Sequence, residues 1–296
     1  MRLPDFIVIG AMKCGTSSLH DQLARRPGLF LSEPKEPNFF SDDAEYARGI
    51  DWYASLFARA RAGQLCGESS THYTKLPTHP HAAARMVAHL PKVKLVYVMR
   101  DPLDRIVSQY IHEWTQREVQ GSFEDAVRDH ERFAAYSCYA RQLEPYVQRY
   151  GARSILLVAF ERMIARPDEE LARVCAFLGD PSPGPVCWES EAGAQNVSSE
   201  RLRRSPLREA LLGIGAVRAL TRRLPRDLRE RAKSLWRMDG RPVLTPALRA
   251  ALEPRLDEDL ARLGAWVGIE LSCRTWREQV LDRPLEWAET SAVESA

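Results

Sequence analysis

Residues 6–19 read Phe-Ile-Val-Ile-Gly-Ala-Met-Lys-Cys-Gly-Thr-Ser-Ser-Leu, and this stretch restricts the fold more than any other. An apolar run, Phe6 to Ile9, stops at Gly10. A short loop follows, and then a helical pattern opens on hydroxyl residues and runs from Thr16 to Arg26. Strand, glycine loop and helix start together make an anion cradle. Loop amides and the first turn of a helix aim partial positive charge at one point.

The spacing of Gly10 and Gly15 is that of a nucleoside-triphosphate loop, but one residue departs from it. Such a loop puts lysine directly after the second glycine and a metal-binding hydroxyl after that. Here Thr16 holds the lysine position, and the loop's lysine is Lys13. The pattern predicts a site for a phosphate-like group without the usual metal arrangement.

Further short apolar runs, Leu65–Gly67, Val93–Met99 and Ser154–Phe160, alternate with helical patterns. The helical patterns are Pro80–Leu90, Pro102–Glu118, two helices within Phe123–Tyr150, Pro167–Leu178 and Pro246–Val267. Such alternation predicts βαβ units around a buried parallel sheet. At 296 residues and 45% hydrophobic composition, the chain can bury a sizeable core. It has no run near the roughly 20 apolar residues of a membrane span. It has no basic-then-apolar leader, so a soluble, cytoplasmic protein is expected. Six scattered cysteines with no C-x-x-C pair predict free thiols and no zinc site. The sequence says nothing of oligomeric state.

Charge is uneven. Residues 201–241 hold thirteen basic residues against four acidic ones, a net of +9, so the remainder carries −7 of the overall +2. This basic, helical insertion is either a face for an anionic ligand or a solvated amphipathic helix pair over Leu211, Leu212, Val217, Leu220 and Leu224. It has little aromatic interleaving apart from Trp236, so nucleic acid is not the expected partner. The tail from about 288 to 296 is expected to fray.

A second anion site follows the run Val93–Met99, in Arg100-Asp-Pro-Leu-Asp104-Arg105-Ile-Val-Ser108-Gln-Tyr110. Arginine at the carboxyl edge of a strand can fork onto a phosphate, and Ser108 can add a hydroxyl. Ligands of open parallel sheets bind at that edge. One ligand with two separated anionic groups could therefore engage both loops.

These motifs resemble those of the sulfotransferases that use 3′-phosphoadenosine 5′-phosphosulfate (PAPS). Lys13-Cys14-Gly15-Thr16-Ser17-Ser18-Leu19 resembles their 5′-phosphosulfate loop, and Arg100 to Tyr110 their 3′-phosphate motif. Lys35-Glu36-Pro37-Asn38-Phe39-Phe40, Gly49-Ile50-Asp51-Trp52-Tyr53 and Gly67-Glu68-Ser69-Ser70 resemble the branch containing heparan sulfate N- and 3-O-sulfotransferase domains. Gly240-Arg241-Pro242 and the helix after it resemble that branch's closing loop and last helix. The likeness runs from about Phe6 to Gly268, with the motifs in order.

The resemblance implies one domain over 1–296 with a P-loop-like three-layer α/β fold, a central parallel sheet flanked by helices. It implies PAPS as donor, no metal, and a hydroxyl- or amine-bearing acceptor. The cofactor residues would be Lys13, Cys14, Gly15, Thr16, Ser17, Ser18, Arg100, Ser108, Gly240 and Arg241. Glu36 matches the family's catalytic base, and Phe39 and Phe40 are expected to desolvate it and raise its pKa. His112, one turn beyond Ser108, matches a histidine of the N-sulfotransferase domain and is the second candidate base; His20 and His72 rank lower. Trp188 or Trp236 could stack on adenine. Acceptor-side positions depart from the 3-O-sulfotransferase pattern at Asn38, Ser41, Ser69 and Asp239. Two other readings stand beside this one. A nucleotide-dependent phosphotransferase would need lysine at position 16. A non-catalytic anion- or nucleic-acid-binding protein would use the basic region.

Overall fold

A computed structural model describes residues 1–189, 238 and 240–288. The basic stretch 201–237, Trp236, Asp239 and most of the expected frayed tail lie outside the described residues.

Five parallel strands form the central sheet: β1 (Phe6–Gly10), β2 (Leu29–Leu31), β3 (Leu65–Ser69), β4 (Lys94–Met99) and β5 (Ile155–Ala159), in the order β2-β3-β1-β4-β5. β1 is buried along its whole length, which explains its unbroken apolar run: both faces of a doubly covered parallel strand are core. Val8 pairs with Ser69 on one side and with Val96 on the other, so β1, β3 and β4 end at the same edge. The three-residue edge strand β2 has no counterpart among the sequence-predicted strands.

The sheet is flanked by helices. One contiguous group is α1 (Thr16–Ala24), α9 (Phe160–Ala165), α10 (Pro167–Leu178) and α12 (Trp276–Asp282). The other includes α4 (Ala82–His89), α5 (Pro102–Gln116), α6 (Phe123–Asp129), α7 (Arg132–Ala135), α8 (Tyr139–Tyr150) and α11 (Pro246–Val267). Two short helices, α2 (Asp43–Tyr46) and α3 (Ile50–Ser55), cross between β2 and β3. The stretch Phe123–Tyr150 forms three helices rather than two. The break is held by Arg105, fully buried on α5, which donates to Ser137 Oγ (2.5 Å), Phe133 O (2.8 Å) and Gln109 Oε1 (2.7 Å). α5 starts where the sequence places it. Pro102 takes the first turn, and Asp101 caps it by accepting from the amides of Leu103 and Asp104 at 3.0 Å.

All six cysteines are unpaired, and five are buried. Among the described residues no helix is long and apolar enough to cross a membrane.

Candidate active site

A cavity of about 410 Å³ opens at the carboxyl edge of the sheet, and every strand delivers residues to it. The loop after β1 supplies Met12, Lys13 and Gly15–Ser18. The segment after β2 supplies Glu36, and the turn after β3 Thr71, His72 and Lys75. Arg100 follows β4, with Ser108 and His112 on α5; Phe160 and Ile164 follow β5. Arg241 reaches in from the C-terminal region.

The β1 loop has the strained geometry that its glycines announce. A Cβ on Gly10 would lie 2.0 Å from Thr74 Oγ1, which donates to Ile9 O. Gly15 has φ +84°, and its Cβ would meet the Phe160 ring at 2.7 Å. Lys13 adopts a left-handed φ of +68°, a costly conformation for a side chain of this type and one that clusters at functional sites. Gly15 leads into α1 with no side-chain cap. The first-turn amides of α1 are therefore free to serve an anion.

Arg100 converges on this loop. One guanidinium nitrogen donates to Lys13 O at 3.4 Å, and the group sits 4.8 Å from the Phe160 ring centroid. Among the described residues its Nε is buried without a partner, which suits a site awaiting an oxyanion. Asp104 lies 3.8 Å from Arg100, pairs with Arg241 at 3.0 Å and also pairs with Arg277. Burial, with Arg100 adding repulsion, lowers the Lys13 pKa. The two sequence-predicted cations thus face one cleft.

Glu36 sits in a loop pinned to the end of β3. Its amide donates to Ser69 O (3.0 Å), and the Asn38 amide donates to Ser70 Oγ (3.1 Å). Ser70 in turn donates to the fully buried Glu68 (2.7 Å), which also accepts from Tyr53 (2.8 Å) and Tyr73 (2.7 Å). Both Glu36 and Asn38 have positive φ, +57° and +53°. The Glu36 carboxylate accepts from Lys35 Nζ at 3.0 Å and from Thr71 Oγ1 at 3.3 and 3.4 Å.

The expected upward shift of Glu36 is corrected. Burial does push its pKa up, but Lys35, Lys75 and His72 together outweigh it, and the carboxyl lies below the usual range. Phe39 and Phe40 are fully buried and pack with Tyr53 and Tyr73. They form core beneath the loop, so the charges in the cavity decide the state of Glu36.

His112 lines the cavity, where burial, then Lys13 and Lys75, push its pKa down to about 4. Its imidazole is neutral at pH 7 and can accept a proton. His72 is also driven to about 4 and lines the cavity. His20 bonds Ser69 Oγ at 2.8 Å and does not line it. Cys14 and Gly240 do not line the cavity either. The Cys14 thiol is buried beside Met12 O and Tyr139, and burial pushes its pKa to about 12. Trp188 packs against the core, with its amide on Asp168, away from the cavity. Lys75, Thr71, Phe160 and Ile164 were missed in the sequence. The signal that could have found the first two is their place just past the carboxyl end of β3.

A family profile described as "Sulfotransferase domain" matches residues 3–207. The chain belongs to the sulfotransferase-domain family. It is 33% identical over 188 residues to mouse heparan sulfate glucosamine 3-O-sulfotransferase 3B1, covering 60% of this chain and 46% of that protein. To human bifunctional heparan sulfate N-deacetylase/N-sulfotransferase 3 it is 27% identical over 198 residues, covering 60% of this chain and 22% of that one. The chain thus spans about half the length, or less, of these curated relatives. A sulfotransferase crystal structure from Alicyclobacillus acidocaldarius superposes with a TM-score of 0.65 at 24% identity, covering 94% of this chain and all of that one. That likeness establishes the fold, a P-loop-like α/β sheet flanked by helices. At this edge of the sheet the loop of Lys13 and Arg100 place two cations around one cavity.

Proposed function

We propose that this chain is a single-domain, PAPS-dependent sulfotransferase acting on a hydroxyl or amine of a small-molecule, lipid or saccharide acceptor. The observation that carries this reading is the convergence of Lys13 and Arg100 on one cavity that Glu36 and His112 also line. PAPS, when bound, supplies the sulfuryl group and leaves as adenosine 3′,5′-bisphosphate.

The amides at the start of α1, with the hydroxyls of Thr16, Ser17 and Ser18, hold the 5′ anionic group. Arg100, Ser108 and Arg241 hold the 3′-phosphate. Lys13 donates to the oxygen that gains charge as the sulfur–oxygen bond breaks, a form of electrostatic stabilisation that acts mainly in the transition state. The rest is positioning for in-line displacement. Glu36 is ionised at neutral pH and takes the acceptor's proton, with Thr71 orienting its carboxylate. The neutral imidazole of His112 is the alternative base.

The two relatives described above carry heparan sulfate in their names. Asn38, Ser41 and Ser69 depart from the 3-O-sulfotransferase pattern on the acceptor side, so the acceptor is not assumed to be theirs. A phosphotransferase reading lacks its lysine, since Thr16 stands there.

Thermal unfolding with adenosine 3′,5′-bisphosphate, against ATP with Mg²⁺, tests the proposal. A ligand that binds only the native state raises the melting temperature by mass action. Stabilisation by the bisphosphate is expected; stabilisation by ATP–Mg²⁺ alone would overturn the reading.

A further inference from the structure

Among the described residues, Lys75 is a buried cation of this cavity without a hydrogen-bonding or ion-pair partner. It follows the single turn Thr71–Thr74 after β3 and is only 8% exposed, yet it lines the cavity. Among the described residues its ammonium makes no hydrogen bond and no ion pair. The Tyr136 ring centroid is 6.0 Å from Nζ, at the outer limit of a cation–π contact.

Nearby carboxylates are engaged elsewhere. Glu113 is held by Arg132 at 2.8 Å and by Gln109 at 2.6 Å. Glu36 is held by Lys35 and Thr71. Arg105 makes the contrast: buried more deeply, it makes three hydrogen bonds through Nε and Nη2 that organise α5, α7 and the loop to α8, and only Nη1 lacks a partner among the described residues. A structural cation is satisfied from within, because burying an unpaired charge is costly. Lys75 is not so satisfied, and it faces a space large enough for a ligand.

Its place in the chain puts it beside the base: Lys75 ends the turn Thr71–Thr74, whose Thr71 hydroxyl donates to Glu36, and Glu36 is also the largest charge acting on it. The cations assigned above to the donor are Lys13, Arg100 and Arg241. Lys75 stands on the side of the base, with Thr71 and His72.

We propose that Lys75 anchors an acidic acceptor, pairing with its carboxylate, sulfate or phosphate group while the hydroxyl or amine to be sulfated faces Glu36. This inference rests on the sulfotransferase reading and adds the chemical class of the acceptor. Lys75 is a specificity-determining residue; the reaction's proton and leaving-group chemistry stay with Glu36 and Lys13.

The test uses the whole chain saturated with adenosine 3′,5′-bisphosphate, so that the donor's phosphate sites are filled, and titrates inorganic sulfate as the probe oxyanion by calorimetry. Lys75→Met is expected to weaken sulfate binding about tenfold to hundredfold, the worth of one charge-assisted hydrogen bond. Lys75→Arg is expected to retain it, and bisphosphate affinity is expected to be the same in all three proteins. That affinity also certifies folding; where the methionine variant does not fold, Lys75→Gln takes its place. Equal sulfate affinity in the native and Lys75→Met proteins, or no sulfate binding to the loaded native protein, overturns the inference. Failure of the bisphosphate itself to bind overturns the donor reading instead, so the two failures are distinguishable.

Discussion

Replacing Lys75 by methionine should stabilise the protein while impairing its handling of acceptor, and the size of the gain follows from the burial of the ammonium. Burial pushes the Lys75 pKa from 10.5 down to about 8, against the opposing pull of Glu36, Glu113 and Glu118. At about 1.4 kcal/mol per tenfold change in proton affinity, the charged form costs the native state roughly 3 kcal/mol. The sign with pH is fixed. Below pH 8 the lysine is charged in both states and the cost is fully present. Between about 8 and 10.5 the native state releases its proton while the unfolded chain keeps one, so stability climbs with pH. Methionine removes both the cost and the climb. At pH 7 the variant should gain about 1–3 kcal/mol, or roughly 3–10 °C in melting temperature for a chain of this size. Differential scanning calorimetry at pH 7 and at about pH 9.5 measures the gain and its shrinkage as the native lysine neutralises. The other titratable groups around the site, Glu36, His72, His79, Arg105, His112, Glu113 and Glu118, are common to both proteins, so the difference between the two curves isolates position 75. A variant no more stable than the native protein at pH 7, or a gain that is flat with pH, would refute the reasoning. Either result would mean that the ammonium is already compensated in the free protein.

Substitutions at three other positions probe the rest of the site. Lys13→Ala should cut turnover about hundredfold to thousandfold or more, as the loss of one transition-state donor does; single-turnover kinetics at saturating donor measures it, and Lys13→Asn, which tolerates the left-handed φ of +68°, controls for strain. Glu36→Gln should lower turnover on the order of a hundredfold to ten-thousandfold and leave bisphosphate affinity unchanged. Because the Glu36 carboxyl lies below its ordinary 4.5, the native rate should stay flat with falling pH until below that value. Normal turnover in Glu36→Gln would move the base role to His112. Glu68→Ala strands the hydroxyls of Tyr53, Tyr73 and Ser70, each at roughly 1–3 kcal/mol, so urea unfolding should show a loss of several kcal/mol; a neutral result would mean that these hydroxyls find water.

The placing of Lys13 and Arg100 at one cavity was legible because its determinants are local. Gly10 and Gly15 announce positive φ and close approach, Pro102 and Asp101 announce the start of α5, and Lys13 and Arg100 fall directly beyond two apolar runs. Each of these is decided within a few residues of its own backbone. β2 escaped because three residues on a sheet edge carry no period. The split of Phe123–Tyr150 escaped because it is enforced by Arg105 from another helix, with no glycine or proline to mark it. The direction of the Glu36 shift was misjudged for a different reason: Phe39 and Phe40 turn into the core beneath the loop, while Lys35, the preceding residue, pairs with the carboxylate and Lys75 and His72 add to its pull.

That asymmetry has a physical consequence for how such a site can change. On the proposed reading the donor is gripped by strand-end loops whose strained backbone admits few residue types, since a Cβ at Gly10 or Gly15 collides with Thr74 or Phe160. On that same reading the acceptor is held by side chains of the Glu36 loop and the turn after β3, both anchored by Glu68 through Ser70. As long as Glu68 and its three hydroxyl donors remain, the loop and turn keep their place while the side chains at 71, 72 and 75 can be exchanged. Acceptor choice is thereby separable from donor binding: substitutions at Lys75 should alter which molecules are sulfated without altering the nucleotide that supplies the group, whereas no change in the β1 loop could do the converse.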